Sequence, residues 1–216
     1  MPYRQVILAN YEYYHVFNRG VEKRITFTNK RDYARFIETM DYYSMENPPA
    51  RFSFRDRPAS LRKKSSGSPI VEIICYCLMP NHFHFLLRQI KEKGISTFLS
   101  KVGNSYTKYF NTKYKRVGPL FQGCFKAVRI EDDEQLVHVS RYIHLNPLID
   151  YVTYDLRTYP YSSYLEFLNL KKGFCKTSSI LDKARNPNDY EKFVLDQEDY
   201  GRTIKQNERA LLDSES

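Results

Sequence analysis

The sequence lacks tryptophan, Cys-X-X-Cys pairs and long apolar runs. No apolar run approaches the roughly 18 residues that a membrane-spanning helix needs. The four cysteines are Cys75, Cys77, Cys124 and Cys175. Two of them, Cys75 and Cys77, lie two apart on an apparent strand, where we interpret them as small buried hydrophobes rather than metal ligands. No signal peptide is recognisable at the first residues, so we expect a protein of the reducing cytoplasm without a membrane partner.

Charge and aromatic residues give the first positive indication of function. The net charge is +9, but residues 177–216 hold 6 basic and 9 acidic side chains, a net of −3. The preceding 176 residues hold 28 basic and 16 acidic side chains, a net of +12. Such a basic body favours a polyanionic partner, with nucleic acid ahead of anionic lipid, although solubility alone is the alternative explanation. The 19 Tyr and 14 Phe offer rings for stacking on bases.

Hydrophobic periodicity predicts elements in the order β-α-β-β-α-β-α. Strands are predicted over 11–18, 71–78, 82–88 and 120–130, and helices over 32–45, 95–114 and 132–146. Asp32 is the predicted N-cap of the first helix, and Pro147 is predicted to end the last one. This order matches the α+β, ferredoxin-like split β-α-β arrangement. We therefore expect a four-stranded antiparallel sheet with both crossover helices on one face and one extra helix after it.

Two segments fall outside this periodic pattern. Residues 49–69 hold six basic residues and one acid among Pro, Ser and Gly. They predict an exposed, mobile loop that is either a DNA-facing arm or a solvated insertion. Residues 171–216 form an acidic segment that we interpret as a loosely helical tail. The predicted organisation is one domain over 1–170 followed by this tail.

The stretch "MPNHFHFLL" at 79–87 places two histidines inside an apolar run. Residues two apart on a strand point to the same face, so His82 and His84 project together while Phe83 and Phe85 face the core. Two such imidazoles could bind one divalent cation. The alternative is a pair of histidines satisfied by neighbours or by solvent on a half-exposed sheet face.

A second stretch, "HVSRYIHLNP" at 138–147, carries polar residues at helical spacing. His138 lies one turn before Tyr142, and Asn146 lies one turn after it. These three residues form a polar stripe beside the apolar stripe of the helix, which suits a helix lying along a sheet. The alternative for Tyr142 is a boundary tyrosine whose hydroxyl lies in water.

These two stretches, with "GPLFQGCFKAVRI" between them, resemble the single-tyrosine HUH transposases. In particular, they resemble the REP-associated tyrosine transposases, which act on short palindromic repeats in bacterial chromosomes. HUH denotes two histidines that flank one hydrophobic residue, here His82-Phe83-His84. The resemblance runs from about Tyr13 to Tyr164, from "YYHVFNRG" to "YPYSSY".

The resemblance implies a site and a reaction. His82 and His84 would bind Mg²⁺ or Mn²⁺, Asn146 would be the third ligand, and Tyr142 would be the nucleophile on the extra, C-terminal helix of the fold. An amide carbonyl oxygen at Asn146 suits a hard cation. The implied partner is single-stranded or hairpin DNA, met by a monomer or homodimer in the bacterial cytoplasm, associated with the nucleoid.

Three functional hypotheses follow. The first is a metal-dependent transposase and endonuclease that nicks and rejoins hairpin-associated single-stranded DNA through a 5′-phosphotyrosine intermediate. The second is a domesticated protein that binds DNA hairpins with little or no catalysis. The third is a metal phosphodiesterase that uses water and forms no covalent adduct.

Basic residues and two further histidines complete the candidate site. The DNA backbone would be held by Arg19, Lys23, Arg24, Lys126 and Arg129, each of which could equally be a solvated surface charge. His138 and His144 are candidates for the base that accepts the phenol proton. His144 lies about 200° around the helix from Tyr142, so we expect it to be structural.

Overall fold

Four antiparallel strands form one sheet in this computed structural model, which describes residues 6–46, 48, 52 and 67–198. The strands are β1 (Tyr13–Arg19), β2 (Val71–Met79), β3 (His82–Gln89) and β4 (Lys126–Arg129), in the order β2-β3-β1-β4. The helices are α1 (Lys30–Tyr43), α2 (Gly94–Lys113), α3 (Asp133–Ile149), α4 (Tyr164–Phe167), α5 (Ser178–Leu181) and α6 (Pro187–Leu195). Two short 3-10 turns occupy Val21–Lys23 and Leu156–Thr158.

The sheet separates two hydrophobic cores. Alternation along β1 and β3 directs Tyr14, Val16, Phe83 and Phe85 into a core shared with α1 and α2. The opposite face directs Leu86 into a second core, which is shared with α3 and with the helices after it. The predicted fold is confirmed: both crossover helices lie on one face, and the extra helix α3 covers the other.

Asp32 does not cap α1 as predicted. The N-cap is Asn29, whose side chain accepts hydrogen bonds from the backbone nitrogens of Arg31 and Asp32. Asp32 lies in the first turn, fully buried, where its carboxylate accepts from Lys113 Nζ at 2.5 Å and from Tyr114 Oη at 2.8 Å. Burial alone would raise the pKa of Asp32, but these hydrogen bonds outweigh it and hold the pKa below its ordinary value. The carboxylate therefore ties α1 to the end of α2.

Two element boundaries also differ from the prediction. The strand expected over 120–130 is only Lys126–Arg129, because Gly123 adopts a left-handed backbone angle (φ +51°) that interrupts an extended chain. The last helix does not end before Pro147 but continues to Ile149. Proline lacks only its own N–H, so in the last turn of α3 it removes one hydrogen bond of the helix.

The two segments outside the periodic pattern have different outcomes. Of the predicted loop over 49–69, the structure describes only 52 and 67–69, so most of that loop lies outside the described residues. The acidic segment is described as far as Glu198, and its helices α5 and α6 place Ile180, Tyr190 and Val194 fully inside the second core. None of the helices in the described part of the chain is long and apolar enough to cross a membrane.

Buried polar contacts fasten α6 to α3. His144 of α3 lies between Tyr190 Oη and Ser163 Oγ, each 2.8 Å from one ring nitrogen. Tyr190 Oη also donates to Ser140 Oγ at 3.0 Å, and Ser163 Oγ accepts from the backbone nitrogen of Tyr76 on β2 at 2.9 Å. Burial lowers the pKa of His144 to about 3, so this histidine is neutral at pH 7. The network joins the sheet, α3 and α6 into one packed unit.

Candidate active site

The strand pairing places the two predicted histidines on the sheet face that α3 covers. Directly opposed residues of an antiparallel pair point to the same face. In the β1–β3 register, His82 lies opposite Arg19, and His84 lies opposite Phe17. Both histidines are largely buried, with 8% and 6% of their surface exposed. The HxH pair therefore lies on the sheet face that α3 covers. Phe83 points to the other face and lies in the first core.

Each of these imidazoles has one ring nitrogen oriented by a neighbour. His82 Nδ1 lies 2.6 Å from Asn81 Oδ1, and His84 Nδ1 lies 2.9 Å from His15 Nε2. The two ring centroids are 5.0 Å apart. A metal-binding histidine usually engages its second nitrogen in such a hydrogen bond, which fixes the ring and its tautomer. The contacts at Nδ1 make Nε2 the candidate ligand atom of both rings.

Tyr142 lies against one member of this pair, His84. Its ring centroid is 5.6 Å from that of His84, with the two planes at 90°, and 5.7 Å from that of His15. The helix α3 presents the tyrosine because its apolar residues Leu136 and Ile143 are buried in the second core. Tyr142 nevertheless keeps 48% of its surface exposed, so a substrate can approach its phenol. The structure thus brings a nucleophile candidate to the histidine pair of the same chain.

Asn146 follows Tyr142 by one helical turn and is buried, with 6% of its surface exposed. Its Nδ2 donates a hydrogen bond to the Tyr142 carbonyl oxygen at 2.7 Å. Such a bond back to the preceding turn fixes the side-chain amide. Because the amide nitrogen is engaged, Oδ1 is the atom of Asn146 that would meet a cation.

The donor chemistry of these residues fits a divalent cation. Two imidazole nitrogens and one amide oxygen form a mixed set that a cation such as Mn²⁺ accepts. Within the described ranges, no group of three or more His, Cys, Asp or Glu side chains could hold a metal ion. The candidate set therefore depends on Asn146 for its third ligand. Three protein ligands leave coordination positions for a substrate oxygen.

His15 is the residue of this site that the sequence did not indicate. It lies on β1, hydrogen-bonded to His84 and in edge contact with Tyr142. Burial lowers its pKa to about 4, so the ring is neutral at pH 7. The alternation in "YYHVFN" does place His15 on one face of the strand and the core residues Tyr14 and Val16 on the other. Finding its partner, however, requires the register between β1 and β3.

The two histidines considered as bases occupy different environments. Both nitrogens of His144 are engaged by Tyr190 and Ser163 in the second core, which agrees with the structural role expected for it. His138 is exposed, and its Nδ1 lies 2.6 Å from the guanidinium of Arg141. Both side chains are held by residues outside the HxH pair.

The predicted DNA-binding residues divide between the two sheet faces. Lys126 lies opposite Phe17, which lies opposite His84, so Lys126, Phe17 and His84 form one row across the site face. Arg19 lies beside His82 in the next row. Arg129 instead lies opposite the core residue Tyr14 and pairs with Glu12 at 3.1 Å. Arg19 and Lys126 therefore flank the site, whereas Arg129 points to the other face.

Lys23 and Arg24 lie beside the turn that precedes His82. Asn81 Nδ2 donates to the Lys23 carbonyl oxygen at 3.1 Å, which fixes this loop against the β2–β3 turn. The Arg24 guanidinium bonds to Glu22 at 3.0 Å. The loop thus places two further cations near the HxH end of the sheet.

A comparison with protein families finds a match to the middle of the chain. The family model described as "Transposase IS200 like" matches residues 53–146, a span that contains the HxH pair, Tyr142 and Asn146. The match covers fewer than half of the 216 residues and shows similarity to that family over this segment. The resemblance drawn from the motifs is thereby confirmed. A search of curated proteins finds no match to this chain.

A comparison with solved structures supports the fold of this chain. The chain is similar to a structure of a REP-associated tyrosine transposase bound to a REP hairpin, with a TM-score of 0.56 and 15% sequence identity. The similarity covers 80% of this chain and 89% of the other chain. At that identity the likeness establishes the shared fold.

Proposed function

We propose that this protein is a metal-dependent transposase that cuts and rejoins single-stranded DNA at hairpins, with Tyr142 as the nucleophile. One observation carries the proposal: the Tyr142 ring lies 5.6 Å from the ring of His84, a member of the HxH pair. In the proposed site, His82, His84 and Asn146 would hold a divalent cation. A protein that only binds DNA would have no need to bury two imidazoles beside a tyrosine.

The proposed reaction exchanges one phosphodiester bond for another. The Tyr142 oxygen attacks phosphorus in line, a P–O bond to tyrosine forms, and the bond to the 3′ oxygen breaks. The phenol loses a proton and the leaving oxygen gains one, giving a 5′-phosphotyrosine and a free 3′-OH. A phenol has a pKa near 10 and is a weak nucleophile unless it is assisted. A bound cation would supply charge stabilisation at a non-bridging phosphate oxygen.

The substrate class follows from the surroundings of Tyr142. The candidate nucleophile lies between a sheet face and one helix, and we propose that the phosphate comes from a single or locally unpaired strand. Arg19 and Lys126 flank the site on the same face and would hold the backbone, with Lys23 and Arg24 beside them. The similar solved structure contains a REP hairpin, which favours hairpin DNA as the substrate here.

Incubation with hairpin DNA and Mn²⁺ distinguishes the three functional hypotheses. The transposase should give a protein–DNA adduct that survives SDS. A hairpin-binding protein without catalysis would shift the DNA in a gel and leave it intact. A phosphodiesterase that uses water would cut the DNA without forming an adduct. Intact DNA under conditions of saturated binding would therefore refute the proposal.

Binding should depend steeply on salt. A single-stranded partner contributes a slope of about −0.7 in log affinity against log salt for each phosphate that the protein neutralises. We expect Arg19→Gln and Lys126→Gln each to reduce the steepness by about 0.7. Arg129→Gln is the matched comparison, because Arg129 lies on the other face and pairs with Glu12. Fluorescence anisotropy between low and moderate salt measures this. Equal effects of all three changes would mean that the DNA does not follow the site face.

Asn146→Ala should weaken cleavage and make it more dependent on metal concentration. The two histidine ligands remain, so raising Mn²⁺ should restore part of the activity. We expect at least about a tenfold loss at limiting Mn²⁺, since even outer-shell partners of a metal are worth 10–100-fold. Asn146→Asp is the control, because it keeps an oxygen at the same position. Cleavage rates across an Mn²⁺ titration measure the effect, and a loss that no Mn²⁺ concentration relieves would exclude a ligand role.

A further inference from the structure

His15 lies at the centre of the candidate site although neither the HxH motif nor the helix motif includes it. Its Nε2 is 2.9 Å from His84 Nδ1, and the two rings lie side by side, with their planes at 19° and centroids 5.2 Å apart. The same ring meets the edge of Tyr142. His15 therefore contacts both a candidate metal ligand and the candidate nucleophile.

We propose that His15 is a positioning residue that holds His84 in the tautomer able to bind a cation. The proposal rests on the proposed metal site and assigns a role to a residue outside it. His15 would form the hydrogen bond to the nitrogen of His84 that does not bind the metal. In metal sites a carboxylate or a backbone carbonyl usually forms this bond.

The tautomer follows from the hydrogen bond itself. One nitrogen of the contact must donate and the other must accept. If His15 donates, neutral His84 carries its proton on Nε2, and that nitrogen has no lone pair for a cation. If His84 donates from Nδ1, its Nε2 lone pair is available. Binding of a cation at His84 Nε2 therefore requires His15 to accept, with its own proton on Nδ1.

The fold makes His84 the polar partner of His15. The strand β1 lies between β3 and β4, so its backbone is held on both sides. The residues opposite His15 are Leu86 on β3 and Val128 on β4, and both are apolar. A half-buried imidazole among apolar neighbours requires a hydrogen-bond partner, and His84 supplies it.

Two substitutions separate acceptance of a hydrogen bond from ring packing. His15→Gln keeps an atom that can accept from His84 Nδ1, whereas His15→Phe keeps a ring and removes the acceptor. We expect His15→Phe to weaken Mn²⁺ binding by about 10-fold or more. His15→Gln should stay close to the unchanged protein. Tyr154→Phe is the control, because Tyr154 is an exposed aromatic residue to which no role in the site is assigned.

Two measurements on the DNA-free protein test this without any cleavage reaction. Electron paramagnetic resonance of free Mn²⁺ gives the affinity of each variant. Long-range ¹H–¹⁵N correlation spectra of the imidazoles, recorded without metal, give the tautomer of His84. We expect the proton on Nδ1 in the unchanged protein and in His15→Gln, and a shift towards the Nε2-protonated form in His15→Phe. If His15→Phe does not fold, the tautomer of His84 in the unchanged protein and in His15→Gln still tests the proposal.

The outcomes distinguish this inference from the metal site on which it rests. If His84→Gln leaves Mn²⁺ affinity unchanged, the metal assignment itself is wrong. If His84→Gln weakens binding but His15→Phe does not, only the role of His15 is wrong. An equal loss for His15→Gln and His15→Phe would make His15 a direct ligand and overturn the positioning role. A proton found on His84 Nε2 in the unchanged protein would overturn it as well.

Discussion

Tyr142→Phe is expected to abolish both the covalent protein–DNA adduct and strand cleavage. The change removes one oxygen and keeps the ring, so contacts of the ring with His84 and His15 can persist. Because Tyr142 is half-exposed, we expect the free energy of unfolding to change by no more than about 0.5 kcal/mol. Affinity for hairpin DNA should stay within about twofold, since the basic residues around the site supply it. Denaturing gels with labelled hairpin DNA and Mn²⁺ measure the adduct.

Other tyrosines serve as controls for this result. Tyr154 is 83% exposed, and Tyr154→Phe should leave the adduct unchanged. Tyr106→Phe should also leave the chemistry intact but lower stability by about 1 kcal/mol, because the Tyr106 hydroxyl donates to the Thr26 carbonyl oxygen. An adduct that persists in Tyr142→Phe and disappears in one of the control variants would place the nucleophile elsewhere.

Loss of both histidines should be equally severe for cleavage and mild for binding. His82→Ala combined with His84→Ala removes both imidazole ligands, so no cleavage is expected at any Mn²⁺ concentration tested. Binding of hairpin DNA should remain largely intact, because it depends on distributed Lys and Arg side chains. Parallel measurement of anisotropy and of cleavage on one preparation reveals this separation.

Because the rings of His82 and His84 are both buried, the double alanine variant needs a second variant that controls for loss of stability. Alanine at two buried positions leaves a cavity and will lower stability. His84→Phe keeps the ring volume and removes the ligand atoms, so a folded His84→Phe protein without cleavage attributes the loss to ligand chemistry. Normal cutting by the double alanine variant would show that the HxH pair is not the metal site.

The sequence predicted the sheet and its helices because their periods are strong and local. Alternation of apolar residues in β3 and the helical spacing in α2 are visible within short windows. Asp32 was misassigned as a cap because its partners, Lys113 and Tyr114, lie far away along the chain. The length of β4 was overestimated because apolar spacing does not report the left-handed turn at Gly123.

The candidate site shows the same division between local and distant information. His82, His84, Tyr142 and Asn146 could be proposed from the sequence because they lie in two short motifs. The part played by His15 depends on the register of β1 against β3, and a shift of one residue would turn it to the other face. The separation of Arg129 from Lys126 depends on the same kind of pairing. By charge alone, Arg129 and Lys126 were equally good candidates for binding DNA.

The contact of α6 with α3 has a consequence for fragments of this protein. The family match ends at Asn146, yet the surface of α3 turned away from the sheet is covered by residues that follow, among them Ile180, Tyr190 and Val194. A polypeptide cut at the end of that match would expose a contiguous apolar surface and leave His144 without Tyr190 and Ser163. The family match therefore contains the candidate site residues, but we expect a stably folded fragment to extend through α6.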